Sequence, residues 1–171
     1  MSLKLLSRST LLLLIILPIL LLGGCGRNTA KNLKVGDKAP EFSAKDLNGH
    51  TIDLKSYRGK PVILRFFQPN CQYCRADTAI LNKYYGKFKD KGLNIVYLDT
   101  SPTSDDLKQF VDDLHIKFPV IWDTGMNIAH KYRVKIVPQT IILNPAHEIT
   151  GAILGGVGKE QLDNLLGKYL K

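Results

Sequence analysis

Two cysteines two residues apart, in Cys71-Gln72-Tyr73-Cys74, are the side chains of this sequence best suited to chemistry. They follow an apolar run, Val62-Ile-Leu-Arg-Phe-Phe67, and open a stretch with helical periodicity. A strand, a tight loop and a helix start carrying Cys-x-x-Cys make the setting of a thiol–disulfide site. The unpaired N–H groups at a helix start favour negative charge. Cys71 should therefore hold a thiolate more readily than a free cysteine, whose pKa is about 8.5. Cys74 falls one turn on, on the same helical face, within reach of the Cys71 sulfur. One sulfur can attack a substrate disulfide and the other can resolve the mixed disulfide. A structural disulfide and half of a zinc site are the other readings of such a pair. Zinc takes about four ligands, and the sequence holds no second Cys-x-x-Cys and no His-x-x-x-His. No motif asks for a metal or a cofactor.

The elements that must position the pair follow from patterning. Val35–Phe42 reads as a loop broken by Pro40. Asn48-Gly49 predicts a hairpin turn between Phe42–Leu47 and His50–Leu54. A short helical turn over Lys55–Gly59 comes next. The nearly all-apolar Val62–Phe67 suits a strand covered on both faces of a mostly parallel sheet. Ala76, Ile80, Leu81, Tyr84, Tyr85 and Phe88 recur at helical spacing, and Gly92 stops that helix. Leu93–Leu98 reads as a strand. Ser101-Pro-Thr-Ser104 offers a helix start, with Leu107, Phe110, Val111 and Leu114 as its apolar face. Val120–Trp122 is a short strand and Met126–Tyr132 a short helix. Gln139–Leu143 and Ile149–Leu154 are strands, and Gly158 opens a last helix. This alternation means α/β with a mixed central sheet flanked by helices and an N-terminal β-hairpin extension.

The chain of 171 residues has room for one domain and a leader. Its net charge is +9, and Lys4 and Arg8 supply two of these charges. The surplus is spread out, with no arginine-rich run and no basic–aromatic interleaving. That argues against nucleic-acid binding and suits an anionic membrane surface or an acidic partner. Lys4 and Arg8 precede an unbroken apolar run from Leu11 to Leu22, of signal-peptide length and short for a membrane-spanning helix. The run ends in Leu22-Gly23-Gly24-Cys25, which resembles the lipobox of bacterial lipoproteins. That resemblance implies a signal peptide over 1–24, a lipid on Cys25 and a tether over 25–34. Several acyl chains would anchor the protein stably. Gly26, where an Asp would resemble an inner-membrane retention signal, points to the outer membrane if the cell has one.

Over residues 35–171 the chain resembles the thioredoxin-like fold. It is most similar to membrane-anchored thiol–disulfide oxidoreductases of the TlpA/ResA type, within the AhpC/TSA-redoxin-like superfamily. The matching residues are Val35-Gly-Asp-Lys-Ala-Pro-Glu-Phe42, Leu54-Lys-Ser-Tyr-Arg-Gly-Lys-Pro-Val62, the Cys71/Cys74 pair, Phe118-Pro119 and Tyr132-Arg-Val-Lys-Ile-Val-Pro-Gln-Thr140. The resemblance implies that Cys71 is the nucleophile and Cys74 resolves. It implies that Pro138 is a cis-proline facing the pair, with the backbone of Val137 free to pair with an extended substrate segment. It implies protein disulfides as substrates, apocytochrome c among them. It also implies a membrane electron donor that re-reduces the pair, and a bacterial cell-envelope location on the extracytoplasmic side, the periplasm in a Gram-negative cell.

Three departures bear on specificity. Asn70 stands where the family usually has Trp, and Gln72-Tyr73 where relatives often carry a Pro in second place. Asn70, Gln72 and Tyr73 thus form a rim of their own. Arg65 lies where thioredoxin has a buried acid; it is expected to snorkel or to pair structurally, or to lower a cysteine pKa. His50, His115, His130 and His147 sit at turns or helix ends, where surface or capping roles are expected. Trp122 and Phe118 look like core residues, Asp99 like a loop or helix cap or a ligand position at a strand end, and Glu41 has no assigned chemistry. Three alternatives stay open. A peroxiredoxin-like peroxidase needs a Pro-x-x-x-Thr/Ser-x-x-Cys setting, and Pro69 is two residues before Cys71 with no Thr in place. A copper-delivery module would use the Cys pair and a histidine. A non-catalytic interaction domain would keep only the fold.

Overall fold

The computed structural model describes residues 33–171; the expected signal peptide, Cys25 and most of the tether lie outside them. The hairpin of β1 (Ser43–Lys45) and β2 (Thr51–Asp53) is antiparallel, with Gly49 at φ 82° in its turn. A 3₁₀ turn over Leu54–Tyr57 leads to β3 (Val62–Phe67). Then come α1 (Gln72–Phe88), β4 (Asn94–Asp99), α2 (Leu107–Asp113), β5 (Val120–Trp122) and α3 (Asn127–Lys131). β6 (Gln139–Leu143), β7 (Ile149–Leu154) and α4 (Lys159–Leu166) complete the chain.

The main sheet runs β5-β4-β3-β6-β7, with β3, β4 and β5 parallel and β6 and β7 antiparallel to their neighbours. Every residue of the central strand β3 is buried, and successive side chains serve opposite layers. Ile63 and Phe67 pack with α1, α2 and α4; Val62, Leu64 and Phe66 pack with α3 and the N-terminal segment. Each such aliphatic or aromatic burial contributes about 1.5–3 kcal/mol. Gly36–Ala39 lies along the start of β7, with Gly36 N donating to Ile149 O at 2.8 Å and Ala39 N to His147 O at 2.9 Å.

The elements follow the patterning, with two corrections. The expected helix start at Ser101–Ser104 is loop, and the helix begins at Leu107. The reason is that Ser101 is otherwise engaged: its N–H and hydroxyl donate to the Asp99 carboxylate at 2.9 and 2.6 Å. His147 is not a surface residue; it is 1% exposed, at φ 57°, and neither ring nitrogen has a partner among the described residues. The N-terminal segment pairs with its backbone, Ala39 N donating to His147 O, a contact no local pattern announces. Phe118 is buried and Trp122 half-buried, its indole N–H donating to Ser101 O at 3.1 Å.

Asp99 serves the loop rather than a ligand. Burial raises its carboxyl above the ordinary carboxylate range; the Ser101 bonds oppose this and neighbouring Asp123 adds to it. The unfolded chain therefore gives up this proton first. Stability is full below the unfolded pKa, about 3.9, and falls as pH rises towards the folded value. Asp99→Asn keeps an acceptor for Ser101 and should remove that step. Urea denaturation across the acid range checks it: the stability difference between variant and parent should grow with pH, and parallel curves would refute the assignment.

Candidate active site

β3 delivers the chain to its C-terminal end, where Gln68–Asn70 turn into α1. Cys71 is the N-cap residue of α1, in an extended conformation, and its sulfur accepts the Cys74 N–H at 3.2 Å. Cys71 and Cys74 form a disulfide with Cα atoms 5.2 Å apart. The two sulfurs differ in access: Cys71 is half-buried, whereas Cys74 is 1% exposed and belongs to the core. α1 buries Cys74, Thr78, Leu81, Tyr84 and Phe88 along one stripe, so the buried cysteine is fixed by the helix's own packing face. Thr78 reinforces it, bonded to Cys74 O at 2.9 Å and to the Tyr97 hydroxyl at 3.1 Å. Burial pushes the Tyr97 phenol up to about 12, so it stays protonated at neutral pH.

The rim is built from three loops. Asn70, Gln72 and Tyr73 are exposed, Tyr73 at 64%. Val137–Pro138 is a cis peptide, with Pro138 buried and Val137 half-buried. β6 follows directly and pairs with β3, which places this loop at the same sheet end as the cysteines. Pro138 O accepts Gly155 N at 2.8 Å, joining the proline loop to the loop after β7. No backbone hydrogen bond among the described residues uses Val137. Pro69, Asn70, Arg75, Asp106, Phe110 and Asp113 line a cleft of about 330 Å³ beside Cys71, with Arg75 bonded to Asp113 at 2.8 Å.

Arg65 is fully buried on the α1 side of β3. Its guanidinium donates to Asp77 at 2.7 Å, Thr140 Oγ1 at 2.6 Å and Gly155 O at 3.1 Å; Nε has no partner. Burial pulls its pKa below the usual guanidinium value, against the pull of Tyr97 and Asp77. Of the readings open for Arg65, the structure supplies the structural pair. Asp77 also accepts Val157 N at 3.2 Å. Sequence reasoning missed Asp77. The available signal was an acid three residues after Cys74, on the face of α1 that carries the buried cysteine. Glu41 is held by Arg58 at 2.6 Å, in the loop before β1.

Such a site performs two-electron exchange. An exposed sulfur meets the partner, and a buried sulfur one turn away closes the disulfide. A model of the AhpC/TSA family matches residues 35–152. The chain belongs to the AhpC/TSA family. Thiol-disulfide oxidoreductase ResA of Bacillus anthracis is 35% identical over 138 residues, covering 81% of this chain and 80% of that one. ResA of Halalkalibacterium halodurans is 29% identical over 133 residues, covering 78% and 76%. Among solved structures, the thioredoxin domain of a thiol-disulfide oxidoreductase from Bacteroides vulgatus superposes with a TM-score of 0.72 at 27% identity, over 81% of this chain and 99% of that one. A thiol:disulfide interchange protein from a Bacteroides species gives 0.70 at 26%, over 82% and 92%. The AhpC/TSA protein described here is thus a thiol–disulfide oxidoreductase of thioredoxin-like fold.

Proposed function

We propose that this oxidoreductase reduces protein disulfides on the extracytoplasmic side of a bacterial membrane, held there by lipid on Cys25. The carrying observation is the unequal access of the two sulfurs at the start of α1, half-buried Cys71 and core Cys74. Cys71 thiolate attacks a substrate disulfide, forming a mixed disulfide and releasing one substrate thiolate. Cys74 thiolate then attacks the Cys71 sulfur and releases the second. Two electrons pass to the substrate, and the chain is left in the disulfide state. A membrane electron donor restores the dithiol. The unpaired Val137 backbone beside the pair suits an extended substrate strand. Apocytochrome c and other envelope disulfides are the substrates we favour, from resemblance to the TlpA/ResA type. The leader pattern Leu22-Gly23-Gly24-Cys25 supports the anchor.

The direction is tested by the reduction potential of the Cys71–Cys74 pair, equilibrated against glutathione and read by thiol trapping. A value near about −270 mV, that of thioredoxin, is expected for a reductant. A value near about −120 mV would make the protein a disulfide donor and reverse the assigned flow.

A further inference from the structure

We propose that the pole of the domain opposite the disulfide is a docking face for an anionic phospholipid surface. α1 spans 17 residues, so its ends lie roughly 25 Å apart. Cys71 is at one end. The other end carries Lys87, Lys89 and Lys91, all exposed. Exposed Lys60 joins them, since a Cβ on Gly92 would sit 3.6 Å from Lys60 Cγ. α4 runs back from the disulfide end of β7, and exposed Lys168 stands two residues beyond its last residue, Leu166. None of these five lysines is in an ion pair among the described residues. The acids facing the group are Asp90 and, beside Lys87, Asp163, which is itself paired with Lys159. The exposed Lys87 and Lys91 place their ammonium groups over the Phe88 ring, 4.8 and 5.9 Å from its centroid, so this pole carries its charge around an aromatic face.

Two further observations choose lipid over an acidic protein. The chain enters the domain at this same pole. Gly36–Ala39 pairs with His147–Ile149 at the start of β7, and β7 reaches the disulfide end only at Leu154. The first described residues of the domain therefore lie on the lysine side, and the charges there balance, Lys34 and Lys38 against Asp37 and Glu148. Beside Cys71, by contrast, α2 and its approach carry Asp105, Asp106, Asp112 and Asp113 with Lys108. A negative surface attracts the lysine pole and repels this acidic flank. Docked so, the domain holds its disulfide roughly 25 Å from the headgroups and turned to the compartment.

The proposal needs no lipid on Cys25, and its test separates the two. The full chain is mixed with vesicles of phosphatidylglycerol or of phosphatidylcholine alone, and flotation reports whether it stays bound. Lysines are then acylated with a water-soluble reagent and quantified by mass spectrometry. On anionic vesicles, labelling of Lys60, Lys87, Lys89 and Lys91 should fall roughly fivefold, the Boltzmann factor of one lysine at an anionic leaflet. High salt should restore it. Lys108, on the acidic α2, and Lys135, in the stretch that leads to Pro138, should label equally on both lipids. A Lys87→Gln/Lys89→Gln/Lys91→Gln chain should lose the difference and keep its rate of disulfide exchange in solution. Equal labelling on the two lipids, or protection of Lys108 and Lys135 instead, would overturn the proposal. Failure to float with phosphatidylcholine would count against the anchor alone.

Discussion

A Cys74→Ala chain is expected to accumulate as a mixed disulfide with its substrate through Cys71. Cys74 is 1% exposed and Cys71 half-buried, so an incoming disulfide meets Cys71. The Cys74 N–H bonded to the Cys71 sulfur is a backbone group and survives the substitution, so the thiolate keeps its local donor. Attack therefore proceeds and only resolution is lost. An internal thiol in good geometry acts at an effective concentration of about 10⁵ M or more. External thiols at millimolar levels cannot replace it, and turnover should drop by roughly 10³-fold or more. Non-reducing electrophoresis with mass spectrometry reads the adduct. Cys71→Ala should yield none, and an adduct through Cys74 in that variant would invert the assigned roles.

The second large effect belongs to Arg65. Arg65→Met should destabilise the fold by about 3–5 kcal/mol, because it leaves the Asp77 carboxylate, 14% exposed, without its counter-ion. Asp77→Leu should cost about as much by stranding a fully buried guanidinium. The double variant Arg65→Met/Asp77→Leu should regain most of the loss, since an apolar pair of similar volume replaces two buried charges. Denaturant titration of the four chains gives the coupling. Additive losses would mean that the pair does not act as a unit. Exchange activity should follow stability in the single variants. Arg65 holds Gly155 O and Asp77 holds Val157 N, and Gly155 N holds Pro138 O. Loosening the pair loosens the proline side of the site.

The site's centre was legible because it is local. A buried strand, a four-residue thiol motif and a helical stripe lie within one stretch, Val62–Phe88, and each has its own period. The strand elements were legible for the same reason. The expectation that Pro138 faces the cysteines came from family resemblance, and the sheet order was not legible, since no period relates residues 62–66 to 139–143. Asp77 was illegible because its partner lies on another element, and a charge on a helix reads as solvated until a neighbour is known. His147 misled because a turn sequence says nothing of the distant Lys38–Ala39 segment that pairs with its backbone. Ser101 misled because a hydroxyl suited to capping a helix was taken by the carboxylate two residues earlier.

The pairing of β3 with β6 also sets an order of events during synthesis. Residues 62–66 find their antiparallel partner in residues 139–143, a long-range contact of the kind that slows folding. Cys71 is made 67 residues before Pro138. At about 5–20 residues per second, the thiols precede the strand that encloses them by roughly 3–13 s. In that interval the nascent chain carries a reactive dithiol without its proline wall, open to exchange with any disulfide it meets. Holding the pair reduced until residues 138–143 have emerged avoids that exchange.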